Sequence, residues 1–199
     1  MGPIRRLILF ASAAVWLAGV GFGIRQLLAY SYKPGVQLAS SGTWPAATTV
    51  THSRTKATLV LAVHPHCPCT RATLGELAII AARCPNKIQT EILLYRPSGF
   101  DPEWSDTDLR QTAMQIPGAA VLDDRDGAEA QRFGAATSGQ AFLYDQAGRL
   151  LFKGGITASR GHSGDNLGRD SVIDFVTSGV ASVSSAPVFG CSLLGGKNL

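Results

Sequence analysis

A short loop between a strand pattern and a helix pattern constrains this chain more than any other segment. The apolar, β-branched run Ala57–Val63 predicts a buried strand, and apolar residues at helical spacing begin after Thr70. The loop between them, His64–Cys69, has the sequence HPHCPC. Its two cysteines stand at a helix N-terminus, where the helix dipole and unpaired N–H groups stabilise a thiolate. The sequence therefore predicts a redox-active dithiol or disulfide at this junction.

Position in the loop suggests a role for each cysteine. Cys67 ends the loop after the strand and is expected to be the more exposed, so it would attack a disulfide as the thiolate. Cys69 enters the first helical turn behind Pro68, which suits the first helical position, and would resolve the mixed disulfide. The alternative makes Cys69 the nucleophile, because it lies closer to the helix amides. A ring closed across one residue is strained, so we expect an oxidising pair.

The same loop offers a competing interpretation as a soft-metal site. Two imidazoles and two sulfurs stand within six residues and suit Cu(I) or Zn(II): His64, His66, Cys67 and Cys69. One short loop rarely supplies all four ligands of a metal ion. A site that combines two or three of these loop residues with His162 would be more plausible. We favour redox chemistry without a cofactor, with copper or zinc as the alternative. In the redox interpretation His66 lowers the pKa of the Cys67 thiol, and His64 is an ordinary loop residue.

Two further cysteines lie outside the loop. Cys84 ends the predicted helix and is expected to be a small, buried apolar residue. Cys191 lies in a small, polar C-terminal tail that could fold back. It could then resolve a mixed disulfide on Cys67, form a structural disulfide with Cys84, or remain a free thiol.

The N-terminus predicts a membrane anchor. Residues Leu7–Ile24 carry no charge and follow Arg5 and Arg6. Eighteen such residues can just span a bilayer, and the contact extends over residues 7–29 if Arg25 reaches the interface. The length favours an uncleaved single-pass anchor over a cleaved signal peptide, which is the alternative. The basic residues before the span favour a cytoplasmic N-terminus, which leaves the domain in the periplasm or another extracytoplasmic space.

Charge excludes one class of partner. The chain of 199 residues has a net charge of +4, and all of this excess lies in residues 1–33. The remainder is neutral, so it offers no electrostatic footprint for nucleic acid. Cysteines in an exported domain are expected to be redox-active or disulfide-bonded. The expected partners are therefore the lipid bilayer and the disulfides or thiols of membrane-associated proteins.

The rest of the sequence predicts one α/β domain behind the anchor. Strands are expected at 57–63, 87–95, 119–122, 141–144 and 149–152, and helices at 70–84, 101–114, 126–133 and 171–177. This order predicts an α/β sandwich with a mixed sheet flanked by helices. The predicted divisions are an anchor at 1–30, a linker at 31–55, the domain at 56–178 and a tail at 179–199.

These features carry a family resemblance. The strand–Cys-Pro-Cys–helix opening and the terminal hairpin with Gly154 and Gly155 resemble a thioredoxin-like domain over about residues 55–178. More narrowly, the chain resembles membrane-anchored bacterial proteins of the RedB type, through its segments 64–70, 137–139, 143–145, 154–157 and 160–162. The resemblance implies a thioredoxin-like sandwich and a thiol-disulfide oxidoreductase. A non-catalytic interaction module and a copper or zinc chaperone are the alternatives.

The chain departs from the thioredoxin pattern in two places. The family has two residues between its cysteines, whereas only Pro68 stands between them here. Its cis-proline position falls near Ser138 and Gly139, where no proline is present, so these residues are expected to support the site.

The resemblance also places the end of the hairpin beside the dithiol. Arg160, His162 and Asp165 could then contact a substrate or adjust the thiols. The alternative is a solvated loop that caps the last helix through Asp165 or Asn166.

Overall fold

The computed structural model describes residues 2–193 of the chain. The chain divides into two compact units between residues 33 and 34. The predicted tail at 179–199 is therefore described as far as residue 193, and its last six residues lie outside the described part.

The first unit is built on one long helix, α1 (Pro3–Ser31), with Pro3 in its first turn. Its 29 residues correspond to about 43 Å of helix, compared with about 30 Å for a bilayer core. A mean hydropathy of 2.2 over its best 18-residue window makes it long and apolar enough to cross a membrane. The predicted apolar helix is confirmed.

The second unit contains one five-stranded mixed sheet. Its strands are β1 (Ala57–Val63), β2 (Ile88–Arg96), β3 (Ala119–Arg125), β4 (Gln140–Tyr144) and β5 (Leu150–Gly155). They lie in the order β3-β2-β1-β4-β5. The first three strands are parallel, and β4 and β5 continue the sheet as an antiparallel hairpin. Strand β1 is therefore central, and its C-terminal end opens into the cysteine loop.

Four helices and one 3-10 turn accompany the sheet: α2 (Pro68–Arg83), the 3-10 turn (Pro102–Ser105), α3 (Asp108–Met114), α4 (Ala128–Phe133) and α5 (Leu167–Ser178). The prediction of one helix over 101–114 is wrong, because Thr107 is extended and caps α3 by accepting a hydrogen bond from the Arg110 backbone N–H. Helix α5 begins earlier than predicted, since Asn166 caps it in the same way.

Alternating residues of β1 supply the two halves of the core. Leu59, Leu61 and Val63 face the layer built by α2, α3 and α5. Val60 and Ala62 face the opposite layer, which includes α4. Complete burial of these side chains on both faces is expected of a central strand in a parallel sheet.

The described parts of the segments predicted as linker and tail pack against the domain. In the first, the Trp44 ring lies 5.1 Å from the Phe133 ring and 5.0 Å from that of Tyr144. In the second, Val188 and Leu193 are buried. Both segments consist mainly of small and polar residues. The few apolar residues that pack against the domain are therefore too widely spaced to give a helix or strand pattern.

Candidate functional site

The site is built around Cys67, which caps α2 at the end of the loop that leaves β1. The Cys67 backbone N–H donates to the His64 carbonyl oxygen at 3.1 Å, and the Thr70 N–H donates to the Cys67 carbonyl at 3.0 Å. Pro68 occupies the first turn, where its missing N–H costs no helical hydrogen bond. The side chain of Cys67 is only 1% exposed, so the prediction that it is the more exposed cysteine is wrong. Cys69 is partly exposed instead.

Hydrogen bonds to the Cys67 sulfur favour its charged form. Burial by itself raises the pKa of this thiol, but hydrogen bonds outweigh that effect. They come from the thiol and the backbone N–H of Cys191 and from the backbone N–H groups of Cys69 and Thr70. The pKa of Cys67 is therefore lowered, which favours its thiolate.

The two neighbouring thiols are held in the protonated form. Burial, and then the charge and hydrogen bond of Cys67, raise the pKa of Cys69. The same influences raise the pKa of Cys191 to about 12. The positive charge of Arg160 opposes the rise at both thiols. The arrangement is one thiolate with two thiols that donate to it.

Cys191 reaches this position on the C-terminal segment Val188–Leu193. The Ser138 backbone N–H donates to the Cys191 carbonyl oxygen, and the Leu193 N–H donates to the Ala136 carbonyl, both at 2.8 Å. Between these bonds, Ser192 forms an antiparallel bridge with residue 137. The sequence left the role of Cys191 open because nothing local shows that this segment pairs with residues 136–138. The apolar residues Val188, Phe189 and Leu193 are the signal in the sequence that this segment packs against the domain.

The predicted supporting residues Ser138 and Gly139 lie against the start of α2. The Ser138 hydroxyl accepts from the His64 backbone N–H at 2.9 Å and bonds the Thr70 hydroxyl at 3.0 Å. The Gly139 N–H donates to the Ala62 carbonyl oxygen at 2.8 Å. The serine hydroxyl thus joins the β4 side of the site to the cysteine loop. Nothing in the sequence indicates the part that Thr70 plays, because it depends on this contact between distant segments.

The two histidines of the loop turn toward an aromatic cluster formed with Tyr95 and Trp104. The His64 ring stacks on Tyr95 at 5.3 Å, and the His66 ring packs against Trp104 at 4.4 Å. Burial and the neighbouring His66 lower the pKa of His64. The lowered pKa favours the neutral form of the His64 ring in this partly buried aromatic environment.

Both histidines of the loop also make a hydrogen bond through one ring nitrogen. His64 Nδ1 accepts from the His66 backbone N–H at 3.1 Å, and His66 Nε2 lies 2.8 Å from the Trp104 carbonyl oxygen. Each imidazole thus has one nitrogen already engaged. Among residues 2–193, no group of three or more His, Cys, Asp or Glu side chains has the arrangement of a metal site.

The glycine-rich loop after β5 contributes Arg160 directly. Arg160 donates through Nη1 to the Gly190 carbonyl oxygen at 2.6 Å, next to Cys191. His162 is exposed, and its Nδ1 bonds the Arg160 carbonyl at 2.8 Å. Asp165 pairs with Arg169 at 3.1 Å. Of these predicted residues, Arg160 is the one whose side chain reaches the segment that carries Cys191.

Cys84 lies outside the site. It follows the last residue of α2 and is fully buried in the core cluster beneath that helix. Fifteen residues of helix place it about 22 Å from Cys69. The predicted alternative of a Cys84–Cys191 disulfide is wrong for this reason, because the two residues lie at opposite ends of α2.

The chain is similar to several solved structures of low sequence identity. A crystal structure of an uncharacterized conserved protein from Geobacillus kaustophilus is similar with a TM-score of 0.59 at 18% identity, covering 84% of this chain and 95% of that one. A hypothetical protein from Sinorhizobium meliloti 1021 gives 0.59 at 21% identity, covering 82% and 94%. A secreted disulfide oxidoreductase from Mycobacterium tuberculosis gives 0.42 at 16%, covering 61% and 80%.

No protein-family model matches the chain. No curated protein matches it either. The predicted α/β architecture, a mixed sheet flanked by helices, is confirmed.

Proposed function

We propose that this chain is a membrane-tethered thiol-disulfide oxidoreductase of an extracytoplasmic compartment, with Cys67 as the attacking sulfur. The observation that supports this most strongly is the convergence of the Cys69 and Cys191 thiols on Cys67 at the start of α2. A sulfur that receives hydrogen bonds from two backbone segments is stabilised as the thiolate, and the thiolate is the form that attacks disulfides.

The exchange has two steps that conserve electrons and protons. The Cys67 thiolate attacks one sulfur of a substrate disulfide, a Cys67–substrate bond forms, and the other substrate sulfur leaves as a thiolate. A second thiol of the chain then loses its proton and attacks the Cys67 sulfur. The remaining substrate sulfur departs and takes up that proton. The substrate gains two electrons, and the chain is left with one disulfide; the reverse sequence oxidises a substrate dithiol.

Stabilisation of the Cys67 thiolate determines whether we expect the couple to be oxidising or reducing. Hydrogen bonds to Cys67 stabilise the reduced chain, and a stabilised reduced form makes a couple more oxidising. We therefore expect a reduction potential above that of thioredoxin, which is about −270 mV.

Helix α1 supports the tether and the choice of partners. An anchored, electrically neutral domain would meet the thiols or disulfides of membrane-associated proteins rather than freely diffusing nucleic acid. The tether is tested by alkaline extraction of membranes from cells that produce the chain. Labelling of intact cells that have first been treated with dithiothreitol tests the orientation, because a membrane-impermeant maleimide can then react with Cys191, which is exposed. Release of the chain by alkali, or protection of Cys191, would contradict this part.

The redox function is tested on the full chain in detergent micelles. The protein is equilibrated with buffers that contain reduced and oxidised glutathione in graded ratios. Free thiols are then trapped by acid and alkylation, and the mass of the intact chain is measured by mass spectrometry. We expect one reversible two-electron transition that Cys67→Ser abolishes and Cys84→Ala preserves. Absence of an oxidised fraction at every ratio would overturn the proposal.

The same preparation tests the metal alternative. Trapping is repeated after addition of Cu(I) or Zn(II), followed by removal of excess metal. An unchanged transition supports the redox function. Stoichiometric retention of metal that blocks alkylation, in a chain without exchange activity, would support metal handling by the loop instead.

A further inference from the structure

We infer that Cys191 is the resolving residue and that the oxidised chain carries a Cys67–Cys191 disulfide. The inference rests on the proposed function, because it presumes that Cys67 exchanges disulfides. It assigns the second step to a thiol on a separate segment of the chain, rather than to the cysteine two positions along the loop.

The backbone around Cys191 is held on both sides. Hydrogen bonds of 2.8 Å join Ser138 to the Cys191 carbonyl and Leu193 to the Ala136 carbonyl. Leu193 is buried as well and fixes the end of the described segment in the core. This ordered segment carries the Cys191 thiol, which hydrogen-bonds to the Cys67 sulfur.

The backbone of the same segment also lies very close to that of Ser138. A Cβ atom added at Gly190 would lie 1.9 Å from the Ser138 carbonyl oxygen, so only glycine fits there without a shift. The Gly190 carbonyl oxygen also accepts from Arg160 at 2.6 Å. The residue before Cys191 is therefore fixed by sterics and by a charged hydrogen bond.

The geometry of α2 makes Cys69 the poorer resolving residue. Cys67 is the extended residue before the helix and Cys69 lies in its first turn, and Pro68 restricts the backbone between the two cysteines. A short Cys67–Cys69 ring would have to distort the first turn, where the Thr70 N–H donates to the Cys67 carbonyl oxygen at 3.0 Å. A bond to Cys191 joins two segments that already meet and leaves this turn intact.

The resolving step is balanced as follows. Starting from a Cys67–substrate disulfide, the Cys191 thiol gives up its proton and its sulfur bonds to the Cys67 sulfur. The bond between Cys67 and the substrate breaks, and the substrate sulfur leaves with the electron pair and accepts the proton. Arg160, beside Gly190, would stabilise the negative charge that Cys191 carries during the attack.

Trypsin separates the two candidate disulfides cleanly. Cleavage after Lys56 and Arg71 leaves Cys67 and Cys69 in one peptide, residues 57–71, whereas Cys191 lies in residues 170–197. The full chain in micelles is oxidised with glutathione disulfide, alkylated, and digested without reductant for mass spectrometry. We expect the two peptides to be linked. The link should persist in Cys69→Ser and disappear in Cys67→Ser and in Cys191→Ser.

Resolution also has a kinetic signature that a merely structural role would not produce. Cys191→Ser should accumulate the Cys67–glutathione mixed disulfide at least tenfold above the native chain, whereas Ser192→Ala, on the same segment, should not. An internal disulfide in peptide 57–71 with Cys191 alkylated would overturn the inference and leave the proposed function intact. Failure of glutathione disulfide to oxidise Cys67 at all would overturn both.

Discussion

At the scale of single residues, the donor thiol of Cys191 controls the charge of Cys67. Because this thiol donates to the Cys67 sulfur, its removal in Cys191→Ala should raise the pKa of Cys67, so the thiolate forms at higher pH. Cys191→Ser retains a donor and should keep the titration near its native position. Ultraviolet thiolate absorbance, measured as a difference from the matching variant that also carries Cys67→Ser, reads this titration. An identical midpoint in the alanine variant would show that the thiol does not influence Cys67.

Gly190 allows the segment Val188–Leu193, which carries Cys191, to pack closely against the site around Cys67. Gly190→Ala places a methyl group against the Ser138 carbonyl oxygen, so the segment must move away from residues 136–138. We expect faster alkylation of Cys67 by iodoacetamide, by about tenfold or more if the segment detaches. Gly42→Ala is the control, because nothing lies within 4 Å of an added Cβ there. Equal rates in both variants would contradict the packing described for Gly190.

At the scale of elements, a buried ion pair joins α2 to α5. The Arg169 guanidinium lies 2.9 Å from the Glu76 carboxylate, and the two side chains are 5% and 0% exposed. Arg169→Ala leaves this carboxylate buried without its partner, which should cost about 3–5 kcal/mol of unfolding free energy. Urea unfolding measures the loss. Arg71→Ala, which removes an exposed pair with Asp108, should change stability little.

The cysteine loop and the strand before it were predictable because their signals are local. Apolar β-branched residues, a proline in the first turn and helical spacing all lie within about thirty residues of Cys67. The break between the 3-10 turn and α3 was missed, because it depends on a cap by Thr107 that competes with continuous helical spacing. Contacts such as that between Ser138 and Thr70 join residues far apart in sequence, and one sequence carries no signal of such pairs.

At the scale of the whole molecule, the site predicts a difference in stability between redox states. A Cys67–Cys191 disulfide would close a loop of about 120 residues, which in the chain-entropy model stabilises the fold by about 5 kcal/mol. A Cys67–Cys69 ring would contribute only about 1–2 kcal/mol in the same model. Urea unfolding of the oxidised and reduced full chain, compared with Cys191→Ser, distinguishes these values. Stability that is independent of redox state would argue against the long loop.

The pairing of residues 136–138 with Gly190–Leu193 also sets the order in which the site is completed. Cys67 emerges early from the ribosome, and the segment Gly190–Leu193 that packs against its loop follows about 120 residues later. At ordinary rates of synthesis this interval lasts roughly 6–25 s. During that time the most reactive sulfur of the chain is unprotected, and Cys69 is its nearest thiol. Biogenesis therefore passes through a stage at which a wrong disulfide can form, and a chain truncated before Gly190 would remain in that stage permanently.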